Sequence, residues 1–179
     1  TGVQTCALPI FTRTCGGDPR IAYLYRILSE ASTTAGTAIA FTTENSRSKS
    51  RDADTVSTKS GTIRVPGDTE VEISTTALFA SENDPMISKL EKALDDSAVV
   101  EVWEVNLDIK GTTTDSGKFK AKYFQAYVTN LELSSNSEDH AEYSLDFSVI
   151  GTGADGFATV SVDQQAIAEY VFKDTSKTV

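Results

Sequence analysis

Apolar and polar residues alternate one for one along most of the chain after Arg20, and this rhythm limits what the chain can fold into. Alternate residues of a strand point to opposite faces, so period two predicts strands with one buried side. Ala141, Tyr143, Leu145, Phe147 and Val149 alternate with Glu142, Ser144, Asp146 and Ser148, the cleanest case. Val71, Ile73, Thr75, Ala77 and Phe79 alternate in the same way with Glu70, Glu72, Ser74 and Thr76. Val99, Trp103, Val105, Leu107 and Ile109 alternate with Val100, Val102, Glu104, Asn106 and Asp108. Phe119, Ala121 and Tyr123 share one phase, and Phe124, Ala126 and Val128 the other. A bulge at Tyr123-Phe124 is expected to absorb the slip. Residues 21–29, 37–43, 62–66 and 157–162 add shorter strand candidates, with Pro66-Gly67 read as a turn. Residues 164–172 fit either a strand or a helix.

One helix interrupts the pattern. Asp84 stands at a capping position and Pro85 at the first helical position. Met86, Ile87, Leu90, Ala93 and Leu94 then share a face. Residues 43–61 carry no apolar alternation and are read as a long polar loop, of a length that usually serves a function. About seven strands and one amphipathic helix predict a mainly β fold, a two-sheet sandwich or barrel with one flanking α-helix.

The chain has 179 residues, a length that suits one domain. Residues 1–19 stand apart as a non-native or flexible segment, and residues 20–179 form a single β domain. The first 15 residues hold both cysteines, Cys6 and Cys15, and no acidic side chain. No apolar run reaches the length of a membrane span. The whole carries 16 basic and 26 acidic residues, net −10. A chain this acidic repels phosphate instead of releasing counterions from it, which disfavours nucleic-acid binding.

A search for chemistry assigns no catalytic residue, cofactor or metal. Gly151, Gly153 and Gly156 match a dinucleotide-binding spacing, but strand-like residues follow where a helix should open. Residues 111–118 imitate a phosphate loop with Phe119 in place of the magnesium-binding hydroxyl, and are read as a hairpin connection. Ser46 and Lys49 have the spacing of a serine–lysine nucleophile pair inside a polar segment, where coincidence explains it. His140 is the only histidine and is read as a solvent-exposed turn residue. Asp52 and Asp54 lack the rest of a calcium loop. Trp103, on the apolar side of its strand, is read as core.

The wording of the chain is more specific than any of these motifs. Residues 24–30 (LYRILSE), 36–44 (GTAIAFTTE) and 48–67 (SKSRDADTVSTKSGTIRVPG), with 83–94 and 151–175, resemble the major tail proteins of long-tailed, non-contractile bacteriophages. The resemblance runs from about Arg20 to Thr175 and does not include residues 1–15. It implies a sandwich-like subunit that forms hexameric rings, stacked into a tube around a tape-measure protein and joined to tail terminator and tip proteins. DNA later passes through without specific binding. The implied location is the virion, after assembly in the host cytoplasm. A tube protein of a secretion or contractile injection system, and a secreted β-sandwich adhesin or binding module, are the other readings.

A conduit for DNA should not hold it, so a carboxylate-rich lining is expected. Glu70, Glu72, Glu104, Asp108, Glu142 and Asp146 are the candidates for the lumen, with an ordinary solvated sheet face as the alternative. In the loop, Arg47, Lys49 and Arg51 followed by Asp52 and Asp54 are expected to pair with an adjacent ring.

Overall fold

A computed structural model describes residues 5–6, 13–14, 20–79, 84–135, 141–161 and 164. Two short strands, β1 (Thr5–Cys6) and β2 (Arg13–Thr14), pair with each other in a sheet separate from the main one. The main sheet contains β3 (Ile21–Ile27), β4 (Thr42–Thr58), β5 (Gly61–Leu78), β6 (Val99–Lys110), β7 (Phe119–Ser134), β8 (Glu142–Val149) and β9 (Ala154–Ala158). The helix α1 (Pro85–Asp95) lies between β5 and β6. The sheet order is β3-β6-β7-β8-β5-β4, every pairing is antiparallel, and β9 also pairs with β7.

The expected mainly β fold with one flanking helix is present, and its two layers come from a single curled sheet. Tyr25 of β3 stacks on Phe147 of β8 with ring centroids 5.4 Å apart, although β6 and β7 lie between those strands in the sheet. Curling brings the inner faces of β3, β5, β6, β7 and β8 around one core that includes Tyr25, Ile73, Val100, Val102, Phe124, Leu145 and Phe147. The apolar stripe of α1, with Met86, Ile87, Leu90 and Ala93 buried, joins that core. Burying each large apolar side chain there contributes about 1.5–3 kcal/mol.

Asp84 caps α1 as expected: one carboxylate oxygen accepts from the Met86 N–H at 2.8 Å. The other accepts from the Ala40 N–H at 2.7 Å, which ties the helix start to the segment leading into β4. Residues 37–43 are mostly not a strand of their own. Thr37 makes an isolated bridge to Tyr25, and β4 begins at Thr42.

A second, smaller core lies on the outer face of β3, β6 and β7, built from Ala22, Leu24, Val105, Leu107, Phe119, Ala121 and Val160. Trp103 packs against it, as expected of a core residue, and tilts against Tyr123 at 5.5 Å. The two cores explain the phase slip at Tyr123-Phe124. The bulge expected there is absent: β6 and β7 pair without a break from Val99 opposite Tyr127 to Asn106 opposite Lys120. The strand runs straight on, and the buried side changes from outer core to inner core.

Residues 150–153 separate β8 from β9, so that β9 takes the place beside Phe119–Tyr123 that β8 leaves. Gly151 and Gly153 have φ of 75° and 78°. A Cβ on Gly153 would sit 2.5 Å from the Phe124 ring, so only glycine lets the chain cross there. The glycine motif therefore connects two strands and opens no helix. Residues 111–118 form the expected β6–β7 connection, with a single 3-10 turn at Thr113–Asp115.

Two expectations are corrected in β4 and β5. Residues 43–61 are not a loop: most of them lie in β4, which pairs with β5 down to Thr58 opposite Gly61. Pro66-Gly67 is not a turn but lies inside β5, where the register shifts between Arg51 and Ala53. Proline is tolerated at a bulge because the ladder hydrogen bond is already missing there. His140 and residues 165–172 lie outside the described residues.

Candidate assembly surfaces

Directly paired residues of an antiparallel sheet share a face, so the register sorts every side chain of β4. Asn45 lies opposite Thr75 and Lys49 opposite Val71, both residues of the inner core side. Glu44, Ser46, Ser48 and Ser50 lie opposite Thr76, Ser74, Glu72 and Glu70 on the outer side. The alternation of serine with Arg47, Lys49 and Arg51 is thus a strand pattern that separates cations from serines.

The outer side continues across the sheet. Glu72 lies opposite Ser148, Ser74 opposite Asp146, and Leu78 opposite Glu142. Next, Asp146 lies opposite Asn130, whose amide donates to it at 3.1 Å, and Ser144 opposite Glu132. This face gathers Glu44, Glu70, Glu72, Glu132, Glu142 and Asp146, exposed or half-exposed. The positions paired across it hold no lysine or arginine.

Four of the six expected lumen carboxylates therefore share a surface, and two do not. Glu104 is on the inner side, where its carboxylate accepts from the Arg47 Nε–H at 2.6 Å and from the Tyr23 hydroxyl at 2.9 Å. Burial pushes the Glu104 carboxyl up, but the hydrogen bonds from Arg47 and Tyr23 and the Arg47 charge outweigh it and hold it below its ordinary range. The same contacts raise the Arg47 guanidinium, and burial together with Glu104 raises the Tyr23 phenol. Asp108 pairs with Arg20 at 2.7 Å at the end of β6. Glu44 and Glu132 were missed by the sequence reading. Glu44 could have been found from its phase with Ser46, Ser48 and Ser50.

Of the five residues expected to reach a neighbour, Arg47 is also reassigned. It belongs to the root of the β4–β5 pair, bonded to Glu104 and placed 5.8 Å over the Phe124 ring. Lys49, Arg51, Asp52 and Asp54 lie further out and are exposed. Beyond Val71, the last buried residue of β5 on that side, the two strands continue as a bare ribbon. Nine further residues of β4 at about 3.3 Å each carry it about 30 Å past the core. Almost all of its residues are exposed, including Val56, Ile63 and Val65.

A second polar cluster sits under the outer core. Glu101 is buried and accepts from the Arg26 Nε–H at 2.6 Å and the Tyr123 hydroxyl at 2.7 Å, while Arg26 also lies 4.9 Å over the Trp103 ring. Arg26 Nη1 also donates to the Ala31 and Thr34 carbonyls, so these bonds stay within the subunit, which fits a structural role. Among the described residues, no three His, Cys, Asp or Glu side chains converge as a metal-ligand set.

This curled antiparallel sheet with its helix and projecting two-stranded ribbon has counterparts among solved structures. The SPP1 tail tube protein matches it with a TM-score of 0.65 at 19% identity, over 89% of this chain and 91% of that one. The tail of a gene transfer agent particle, refined with C6 symmetry, matches with a TM-score of 0.55 at 15% identity, over 78% and 96%. In sequence, a tail protein of Staphylococcus phage phiMR25 is 35% identical over 144 residues, 79% of this chain and 74% of the relative. Residues 22–155 match the phage tail tube protein family, and the chain belongs to that family. It is a structural component of the virion, a subunit of the phage tail tube.

Proposed function

We propose that copies of this chain close into rings, hexameric as in the six-fold tail of the gene transfer agent, and that the rings stack through the β4–β5 ribbon. The observation that carries this reading is the ribbon itself. A two-stranded ribbon with no cover of its own is marginal in water and an aggregation hazard, unless assembly covers it. The outer face with Glu44, Glu70, Glu72, Glu132, Glu142 and Asp146 is the wall past which DNA slides. Its carboxylates repel phosphate, and no cation among the paired positions anchors it. Tape-measure, terminator and tip proteins are the further partners, DNA is a passenger, and assembly takes place in the host cytoplasm.

The test is negative-stain electron microscopy of the full chain beside a variant whose residues 54–65 are replaced by an Asn-Gly turn. That cut removes the outer ribbon and leaves Asn45, Arg47 and the inner core in place. Long hollow rods from the full chain and a folded, rod-free variant are expected. Normal rods from the shortened chain would overturn the role of the ribbon.

A further inference from the structure

The two ends of the β4–β5 pair both expose apolar side chains, and they point in opposite directions. On the ribbon, Val56 lies opposite Ile63 and Asp54 opposite Val65, so the three β-branched residues share one face. They are 44%, 52% and 46% exposed. At the other end of the same strands, Phe41 precedes β4 and Phe79 follows β5. Leu78 donates its N–H to the Phe41 carbonyl at 3.0 Å. Phe79 packs on Tyr143 with ring centroids 5.6 Å apart, and Leu133 lies opposite Tyr143.

Phe41 is the unusual member. It is 64% exposed, and its backbone has φ of 54°, in the left-handed region. A residue other than glycine is strained there, and such strain clusters at functional sites. The charges of the two ends are complementary as well. Residues 49–68 carry four cations against three anions, net +1, in a chain of net −10. Beside Phe79 and Leu133 stand Glu142 and Glu132.

From these observations we propose that the Val56–Ile63–Val65 face of one copy's ribbon seats on the Phe41–Phe79–Leu133 end of a second copy. The contact is heterologous: a different patch is used on each partner, at opposite ends of one strand pair, so it propagates along the strand direction and does not close into a dimer. Apolar area meets apolar area, and Lys59, in the turn between the strands, comes into range of Glu132 and Glu142, while Arg64, paired with Thr55, lies on the other face of the ribbon. This inference rests on the reading of the ribbon as the contact between stacked rings, and it adds the receiving surface.

Phe41→Gly tests it in the full chain. The substitution relieves the backbone and removes the phenyl, so the thermal midpoint of the unassembled protein should stay unchanged or rise. The concentration needed for rods should increase by about tenfold or more, as for the loss of a central apolar anchor. In a second arm, a chain with Ile63→Cys is mixed with a chain carrying Phe79→Cys, both with Cys6→Ser and Cys15→Ser. A cross-link between positions 63 and 79 in the sedimented polymer is expected. Undiminished rods from Phe41→Gly, or rods in which position 63 cross-links elsewhere or not at all, overturn the receiving surface. The reading of the ribbon survives that outcome as long as the shortened chain still makes no rods. If the shortened chain does make them, both fall.

Discussion

The Tyr25 hydroxyl lies 2.6 Å from the Thr75 hydroxyl, although three strands stand between theirs in the sheet. Asn45 completes the contact, accepting from Thr75 at 3.0 Å and from Tyr25 at 3.3 Å. β3 is thereby held by side chains to β4 and β5, strands to which no ladder joins it, and the root of the ribbon is fixed to the first strand of the main sheet.

Tyr25→Phe removes the hydroxyl that bridges the curl and leaves Thr75 its bond to Asn45. We expect a loss of about 0.5–1.5 kcal/mol in chemical denaturation, the range for a buried hydrogen bond without an orphaned partner. An unchanged denaturation midpoint would mean that the curl is held by apolar packing alone.

Stability should depend on pH at both extremes. The Glu104 carboxyl is held below its ordinary value in the folded protein. Its contribution is present above the unfolded carboxylate range and lost as pH falls through the folded value, so an acid limb is expected below about pH 4. The phenols of Tyr23 and Tyr25 are raised, chiefly by burial. Their contribution is complete below the unfolded phenol value of about 10 and lost as pH rises beyond it. Glu104→Gln should cost about 1–3 kcal/mol at neutral pH and flatten the acid limb. Thermal melts across pH that show the same acid limb in the variant would assign it to other carboxylates.

Gly153→Ala and Gly156→Ala form a matched pair. At Gly153 a methyl meets the Phe124 ring at 2.5 Å and the backbone is left-handed; at Gly156 nothing lies within 4 Å. The first should cost about 2–4 kcal/mol through overpacking and strain, and the second should be within about 0.5 kcal/mol of the parent. Equal effects in urea titrations would contradict the close approach of the β8–β9 connection to Phe124.

Charge reversal on the acidic face tests its place in the tube. Rods of a Glu72→Lys, Asp146→Lys chain should retain double-stranded DNA at low salt and release it as salt rises, because cations on the wall now bind phosphate. Parent rods should not retain it. If the variant rods bind no more DNA than the parent, the face lies away from the lumen.

Much of the fold was legible because apolar alternation reports burial directly. The strand around Leu145, the capped helix at Asp84 and the core position of Trp103 all followed from it. The β4–β5 ribbon was not legible in the same way, because neither side of it is buried within the subunit. Its alternation is of serine with cation, which signals strand geometry without a core. Tyr123-Phe124 misled for the opposite reason: both sides of β7 are buried, each against a different core, and a change of side imitates an inserted residue. Glu104 and Arg47 lay beyond reach because their pairing depends on the curl of the sheet, which no local pattern encodes.

The sorting of β4 leaves it intolerant of length changes. Removing one residue just before Ser46 would turn Arg47, Lys49 and Arg51 toward the side now held by serines, and three positive groups would stand among the acids. Substitutions on this strand can be absorbed singly, but an insertion or deletion rewrites both sides at once. Variation among relatives should therefore preserve the spacing from Glu44 to Arg51 more strictly than the residues themselves.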